Sequence, residues 1–198
     1  SAQRSSSSVS SDTYTTGASG VSLPGAGSGA GSLTRTGYTF GGWNTSADGR
    51  GTNRQAGATF TTVSDVIFYA EWNPITYSIT YDGNTNTGGT IPIAGGYTTG
   101  QASPYTVLAN SFTKTSSVFG GWNTASNGRG TSYSPGSTFT TLTDTVLYAI
   151  WIPQFTLHYA INGGSVTSGS LPADALLTEN TSVSVFSSCL LYTSDAAD

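Results

Sequence analysis

Acid–base and nucleophilic chemistry would have to come from very few residues of this chain. His158 is its single histidine, and no carboxylate stands close to it in the sequence. A general base or a metal ligand needs such partners, so we interpret His158 as a surface residue on the polar face of a strand. Serines are plentiful, but no Gly-x-Ser-x-Gly pattern surrounds any of them, and we predict no activated nucleophile.

Four aspartates, Asp48, Asp65, Asp82 and Asp144, raise the question of a calcium site. Their spacing lacks the Asp-x-Asp-x-Asp-Gly pattern of a calcium-binding loop, and the local sequence favours turns instead. The glycine-rich stretch Gly25–Gly31 lacks the lysine and the strand–helix context of a phosphate-binding loop. The sequence therefore predicts no metal, no cofactor and no catalytic residue.

Two loops could contact a partner. Asp48-Gly49-Arg50-Gly51 and Asn127-Gly128-Arg129-Gly130 are tight-turn sequences. Turn formation alone explains them, but each places an arginine, Arg50 or Arg129, at an exposed tip. We predict these two side chains as the exposed loop contacts of the chain.

The composition excludes several classes of protein. Only 8% of residues are charged, yet 12% are aromatic, which is more anchoring surface than a disordered chain carries. The six basic residues form no cluster, so we predict no nucleic-acid surface. No apolar run approaches the ~20 residues of a membrane-spanning helix, so no membrane span is expected here. The chain begins at Ser1 without a signal peptide, and we expect it to be an internal piece of a longer protein.

The C-terminal segment Cys189–Asp198 differs in character from the rest of the chain. It resembles, residue for residue, one translation frame of a transposase-type sequencing adapter. We therefore interpret residues 189–198 as an adapter artefact and expect the natural sequence to depart from this one after Ser188. The only cysteine lies in this segment, so no disulfide or thiol chemistry is predicted for the remainder.

A duplication organises the chain. Phe40–Thr45 (Phe-Gly-Gly-Trp-Asn-Thr) recurs as Phe119–Thr124, and Tyr69–Trp72 recurs as Tyr148–Trp151, each at an offset of 79 residues. About half of the positions in 33–74 are identical to their counterparts. Self-similarity at a fixed period indicates a tandem-repeat architecture.

A third copy begins after Pro153, where Phe155–Tyr159 matches Tyr77–Tyr81. We predict that Pro74 and Pro153 end the first and second repeats, because proline cannot donate a ladder hydrogen bond. The predicted organisation is a flexible segment (1–19), a first repeat incomplete at its start (20–74), a complete second repeat (75–153), a truncated third repeat (154–188) and the terminal segment (189–198).

The hydrophobic pattern within one repeat predicts strands. Ile75–Tyr81 alternates apolar and polar residues and is predicted as a half-buried strand. Thr145–Trp151 is apolar on both faces, which predicts a central strand covered on both sides. The glycines before Trp122 predict a bulge or a close backbone approach. No segment has the apolar spacing of an amphipathic helix, so we expect a mainly β fold, α+β at most, with little helix.

The tryptophans allow two hypotheses. Trp43 and Trp122 follow paired glycines, so they could form a surface on which sugars stack, or they could pack in a core. We favour the core, because other aromatic residues recur with them at the same period. The predicted core of the repeats comprises Phe40, Trp43, Phe60, Tyr69, Trp72, Phe119, Trp122, Phe139, Tyr148 and Trp151.

The pattern GYTFGGWNT…DGRGT…ATFTT…VIFYAEW resembles the Listeria–Bacteroides repeat, also called the internalin-type B repeat. It is carried by Gly37–Trp72 and again by Val118–Trp151. The resemblance implies a small β-grasp-like module strung in tandem. Asn123–Ser137, where a β-grasp fold places its helix, is rich in Gly, Ser and Asn here, so we expect a loop in that stretch.

The resemblance also implies a function outside the cell. Such modules act as stalks or adhesive spacers on secreted or wall-attached bacterial proteins, where they display other domains. Host-surface or cell-wall components are the partners that this implies. The alternative is a carbohydrate- or cell-wall-binding module appended to an extracellular enzyme. Exposed aromatic residues would favour the alternative, and buried ones would favour the stalk.

Overall fold

The computed structural model describes Thr15 and residues 19–27, 33–166, 170–171 and 173–179. The segment 189–198, interpreted above as an adapter artefact, lies outside these residues, as does most of the segment 1–19. All regular elements in the described ranges are β-strands, and no helix is present among them, so the prediction of a mainly β fold is confirmed. Asn123–Ser137 forms turns and one short strand.

The first repeat is built on a three-stranded antiparallel sheet. Its strands are β2 (Tyr38–Asn44), β3 (Asn53–Arg54) and β5 (Tyr69–Pro74), in the order β3-β2-β5. Two further strands, β1 (Val21–Ser22) and β4 (Thr59–Phe60), pair with each other. Among the described strands, β5 has a single neighbour, β2.

The second repeat contains a larger sheet. Its strands are β6 (Thr76–Asp82), β8 (Gly95–Thr98), β11 (Ser117–Asn123), β12 (Ser132–Tyr133) and β14 (Thr145–Leu157), in the order β12-β11-β14-β6-β8. A further strand, β15 (Ala175–Thr178), pairs with the C-terminal end of β14. The closing strand β14 therefore lies between two neighbours, whereas its counterpart β5 has one.

Two short ladders complete the strands of the described residues. In one, β7 (Gly88–Gly89) pairs with β10 (Phe112–Thr113), and in the other β9 (Tyr105–Thr106) pairs with β13 (Thr138–Phe139). Such short ladders hold loops in place, and the first of them places Phe112 in the core.

A bulge interrupts the long strand of each repeat at the same place. In β2 the register with β5 shifts between Phe40 and Gly42. Gly42 has a φ of 119°, and a Cβ built there would lie 2.6 Å from the carbonyl oxygen of Arg54. Glycine is therefore required at this position. The same shift occurs in β11 just before Trp122, which confirms the bulge predicted there.

The chain divides into two compact units, and the division passes within β6. One unit holds the described residues up to Ile79 together with Gly95–Tyr105 and Phe139–Thr145. In it, Leu23 and Ile79 are buried. The core of the other unit consists of Tyr81, Val107, Phe112, Trp122, Leu147 and Ala149, all of them buried.

The strand β14 is longer than the sequence predicts. Pro153 does not end it, because β14 runs on to Leu157. Proline is tolerated there because the ladder changes partner at that point. Pro153 lies opposite Ser117 of β11, whereas the next residue, Gln154, lies opposite Thr178 of β15. In the first repeat, Pro74 is the last residue of β5.

One face of β14 is less covered than predicted. Leu147 and Ala149 are completely buried on the core face. On the opposite face Val146 is 38% exposed, and Tyr148 and Ile150 are only half-buried. The prediction of a strand covered on both sides is therefore wrong for this face, because the core lies on one side of the sheet.

Candidate functional site

Trp122 lies in the core and offers no surface to a ligand. Its exposed fraction is zero, and its ring makes edge contacts with Tyr81, Phe112 and Phe119 at centroid distances of 4.7, 6.3 and 5.0 Å. The indole N–H donates a hydrogen bond of 3.0 Å to the carbonyl of Leu108. With its face and its polar edge both occupied, this tryptophan cannot stack on a sugar.

The other aromatic residues predicted for the core are less buried than Trp122. Half-buried side chains are found at Phe40, Trp43, Phe60, Trp72, Phe119, Phe139, Tyr148 and Trp151. Tyr69 differs from the prediction, since it is 38% exposed. It lies in β5, which has one neighbour among the described strands, whereas its counterpart Tyr148 lies in the central strand β14.

A buried asparagine organises the loop that follows β11. Asn123 has no exposed surface. Its Oδ1 accepts hydrogen bonds from the backbone N–H groups of Ala125 and Gly130, both at 2.9 Å. Its Nδ2 donates to the carbonyls of Gly128 and Gly130 and to the Ser132 hydroxyl. One side chain thus pairs with the backbone of the whole loop.

The first repeat uses the same device. Asn44 is also fully buried, and its Oδ1 accepts hydrogen bonds from the N–H groups of Ser46 (2.8 Å) and Gly51 (3.0 Å). Its Nδ2 donates to the carbonyl of Gly49 and to the side-chain oxygen of Asn53. Sequence analysis missed this role, although the signal was present: the asparagine is repeated directly after each Phe-Gly-Gly-Trp.

The tip of each loop carries an arginine, as predicted. The backbone N–H of Arg50 donates to Asp48 Oδ1 and that of Arg129 to Asn127 Oδ1, both at 3.0 Å. Both arginines are exposed, and neither side chain makes a hydrogen bond or an ion pair within the described part of the chain. The loops therefore hold two guanidinium groups in the solvent on rigid turns.

Asp48 is the one residue of these loops with a clearly shifted acidity. Its carboxylate accepts hydrogen bonds from the Ser46 hydroxyl, at 2.6 Å, and from the backbone N–H of Arg50. These bonds stabilise the charged form and hold the pKa of Asp48 below its usual value. The second repeat has Asn127 at this position, so its loop is held without a negative charge.

A cleft with a volume of about 350 Å³ opens beside the loop of the second repeat. It is lined by polar side chains from two turns, by a lysine and by two apolar residues of β14. The lining residues include Asn84, Thr85, Lys114, Asn127, Ile150 and Trp151. None of the described residues that line the cleft is an aspartate or a glutamate.

Two residues that line this cleft have an unusual backbone conformation. Asn84 and Thr85 have φ angles of 46° and 68°, in the left-handed region that non-glycine residues seldom adopt. Asn84 is held there by two hydrogen bonds from its Nδ2, to the carbonyls of Ser126 (2.8 Å) and Ala149 (2.9 Å). The turn predicted at Asp82–Asn84 is present, with the Asn84 N–H bonded to Asp82 Oδ1.

At the positions that match the cleft residues, the first repeat has side chains of different charge. Glu71 replaces Ile150, and its carboxylate lies beside the loop, 3.1 Å from where a Cβ on Gly49 would stand. Arg35 replaces Lys114, and its guanidinium lies over the ring of Tyr38 at 3.9 Å. The first repeat is therefore acidic where the second is apolar.

His158 has a partner that the sequence did not suggest. Its Nδ1 lies 2.8 Å from Asp174 Oδ2. The two side chains are 70% and 57% exposed, so the pair is surrounded by solvent. Exposed pairs of this kind contribute little to stability, about 0–1 kcal/mol. The exposure agrees with the interpretation of His158 as a surface residue.

One Ser-x-x-Lys spacing occurs in the chain, from Ser111 to Lys114. In enzymes that use this pattern, the lysine amine must lie within hydrogen-bond reach of the serine hydroxyl. Here β10 (Phe112–Thr113) separates the two residues, and positions three apart on a strand point to opposite faces. Lys114 Nζ bonds instead to the hydroxyl of Thr85, at 2.7 Å.

Two of the aspartates that could have suggested calcium accept hydrogen bonds from backbone N–H groups. Asp82 bonds to the backbone N–H of Asn84, and Asp144 bonds to that of Ser78 at 2.8 Å. Within the described ranges, no three His, Cys, Asp or Glu side chains come close enough together to hold a metal ion. In the same ranges no helix has the length and apolar character to cross a membrane.

The comparisons with known proteins agree with the repeat architecture. The family model of the Listeria–Bacteroides repeat domain matches residues 4–71 and 77–150, two copies in tandem. A protein of Evansella cellulosilytica, named "Putative Gly-rich membrane protein", is 36% identical over 149 residues. The match covers 70% of this chain and 17% of that protein's length. No solved structure matches. The chain belongs to the Listeria–Bacteroides repeat family.

Proposed function

We propose that this chain is a non-catalytic spacer of a secreted or cell-surface bacterial protein, one that carries other domains away from the cell. The main support is the burial of two residues from the motif that the repeats share. Trp122 is fully buried in the core, and Asn123 is fully buried within a loop. Residues repeated for a reaction or for a ligand would face the solvent or a cleft.

The chemistry of the described residues supports this proposal. His158 pairs with Asp174 in the solvent, and Ser111 is separated from Lys114 by a strand. Neither arrangement provides the nucleophile and general base that hydrolysis needs. The relative named as a membrane protein supports a location at the cell envelope.

The continuity of the strands suits a spacer as well. The closing strand β5 and the opening strand β6 are separated only by Ile75, and β14 runs without a break into the third copy. A connection of this length leaves no room for a flexible linker. We propose that the segments 20–74, 75–153 and 154–188 act as consecutive stiff modules of this kind.

The proposal can be tested by varying the length of the spacer on a cell surface. One, two or three tandem copies of the chain would be placed between a membrane anchor and a terminal epitope tag on a bacterial cell. A spacer predicts that antibody access to the tag rises with copy number. The same rise is expected when Arg50 and Arg129 are replaced by alanine. Tag access that is independent of copy number would contradict the proposal.

A second candidate function is binding of glycans or other cell-wall components. The fully buried Trp122 argues against it, but the cleft bordered by Trp151 supports it. Host-surface or cell-wall polymers are the proposed partners in either case. In the display experiment, cells would then adhere to purified cell-wall glycan, and the adhesion would depend on residues of the cleft.

A further inference from the structure

The cleft of the second repeat has no use in a spacer. Its volume of about 350 Å³ lies within the ~300–1,000 Å³ range of small-molecule sites. Such sites typically combine apolar walls with a few polar groups that orient the ligand. Here Ile150 and Trp151 provide the apolar part, and Asn127 and Lys114 provide the polar part.

We propose that this cleft binds an acidic sugar, a uronic acid residue within a glycan. The ring would lie against Trp151, and its carboxylate would pair with the ammonium group of Lys114. This proposal does not depend on the spacer function; it rests on the second candidate function, glycan binding, and names the class of sugar.

Trp151 is oriented in advance for such a contact. Its indole N–H donates a hydrogen bond of 2.8 Å to the carbonyl of Gly83. The ring of Phe119 meets it edge-on, with the centroids 6.0 Å apart. A fixed aromatic side chain loses little conformational entropy when a ligand arrives, which favours binding. Its apolar area suits the C–H face of a pyranose ring.

Lys114 supplies the charge that selects an acid. Its ammonium group has three donors, and one of them bonds to the Thr85 hydroxyl at 2.7 Å. Among the described residues, no carboxylate lines the cleft and none lies within ion-pair distance of Lys114. A carboxylate on the ligand would form a charge-assisted hydrogen bond, which is about twice as strong as a neutral one.

The strained turn indicates a binding site whose shape is preformed. Two consecutive residues, Asn84 and Thr85, adopt left-handed φ angles at the edge of the cleft. Strain of this kind costs on the order of 1–3 kcal/mol per residue and clusters at ligand sites. The two hydrogen bonds of the Asn84 amide hold the turn against Ser126 and Ala149, so the shape is present before any ligand binds.

The first repeat serves as an internal control. It has Asp48 in place of Asn127 and Glu71 in place of Ile150. These two carboxylates would repel an acidic ligand. The proposal therefore assigns binding to the second repeat and none to the first.

The test is a titration of the full chain, labelled with ¹⁵N, followed by NMR. The probes are an oligosaccharide with alternating glucuronic acid residues, a glucose oligosaccharide of equal length, and polyglycerol phosphate. We expect the glucuronic acid probe to shift the indole N–H signal of Trp151 and the amide signals of Thr85 and Asn127. The indole signal of the buried Trp122 should stay in place and reports that the fold is unchanged.

Three variants separate the contributions of individual side chains to binding of the acidic oligosaccharide. Lys114→Gln should weaken binding of the acidic oligosaccharide about tenfold or more, because it removes a hydrogen bond to a charged group. Ile150→Glu should abolish binding by placing a carboxylate in the cleft, and the first repeat shows that the fold accepts glutamate there. Arg35→Gln removes the positive charge at the matching position of the first repeat and should leave the affinity unchanged.

Four results would overturn the proposal. The glucose oligosaccharide could bind as tightly as the acidic one, which would mean that the acid is not recognised. Polyglycerol phosphate could bind as tightly, which would mean that charge alone is recognised. Lys114→Gln could bind like the wild type. Finally, the acidic oligosaccharide could leave the signals of the cleft unmoved at millimolar concentration.

Discussion

Trp43 and Trp122 occupy the same position of the two repeats, follow the same Phe-Gly-Gly and precede the same Asn-Thr. Trp43 is half-buried, with an edge contact to Phe40 at 5.4 Å and a hydrogen bond of 2.7 Å to the carbonyl of Pro24. Trp122 makes the equivalent contact to Phe119 and is also covered by Tyr81 and Phe112. Its exposed fraction is zero.

The difference comes from the neighbouring strands. Tyr81 lies in β6, the second neighbour of β14 in the larger sheet. The counterpart of β14 in the first repeat, β5, has one neighbour among the described strands. An identical motif can therefore be a core in one copy and a half-covered surface in the other. The burial of a repeated residue depends on the completeness of the sheet around it.

The largest expected effect is the loss of stability when either tryptophan is replaced by alanine, and its size differs between the two. Trp122→Ala should lower the free energy of unfolding by about 3–5 kcal/mol, the usual cost of removing a large buried aromatic side chain. Trp43→Ala should cost roughly half as much, since stabilisation follows the apolar area removed from water. Urea denaturation of the full chain, followed by circular dichroism, measures both losses.

A matched pair of conservative variants checks that the difference in stability comes from the burial of the two rings. Trp122→Phe and Trp43→Phe keep an aromatic ring and remove the indole hydrogen bond from each site. We expect smaller losses than for the alanine variants, with Trp122→Phe again the costlier of the two. Equal losses for the two alanine variants would mean that both tryptophans are covered to the same extent, and the comparison would fail.

The two loops are the feature in which the repeats should behave alike. Asn44→Ala and Asn123→Ala each leave backbone groups of a loop without partners, at an expected cost of about 1–3 kcal/mol each. Asn127→Ala removes one exposed hydrogen bond, to the N–H of Arg129, and should change stability by less than about 0.5 kcal/mol. Thermal or urea melts would contradict the account if Asn123→Ala were no costlier than Asn127→Ala.

The smallest expected effect concerns acid pH. The pKa of Asp48 is lowered in the folded chain, so its hydrogen bonds stabilise the first loop above the pKa of an unfolded aspartate, about 3.9. This contribution is lost as the pH falls through the lower, folded pKa. Asn127 does not titrate. An NMR pH titration should therefore move the Arg50 amide signal below about pH 4 and leave that of Arg129 in place.

The repeat, the glycine bulge and the turn loops could be predicted from the sequence, because each depends on local residue types. The Phe-Gly-Gly-Trp motif predicted the bulge, and it lies just before Trp122. The strand Ile75–Tyr81 was predicted from its alternation and is found at Thr76–Asp82, with Tyr77, Ile79 and Tyr81 on the more buried face.

The remaining features depend on contacts between distant segments. Tyr69 and Tyr148 have the same local sequence, but only one lies in a strand with neighbours on both sides. Pro153 stays within a strand because β15 pairs just beyond it. The cleft joins residues far apart in the chain, such as Asn84, Lys114 and Trp151. No motif in the sequence marked these three residues as neighbours.

Amide hydrogen exchange in the full chain tests the central claim most directly, because it reports the stability of each sheet separately. Trp43 pairs with Ala70, and Trp122 pairs with Ala149, at matching places in the two sheets. We expect the hydrogen-bonded amides of β11 and β14 to exchange at least about tenfold more slowly than those of β2 and β5, a difference of about 1.4 kcal/mol. Equal protection, or slower exchange in β2 and β5, would contradict the claim that the completed sheet makes the second repeat the stable core of the chain.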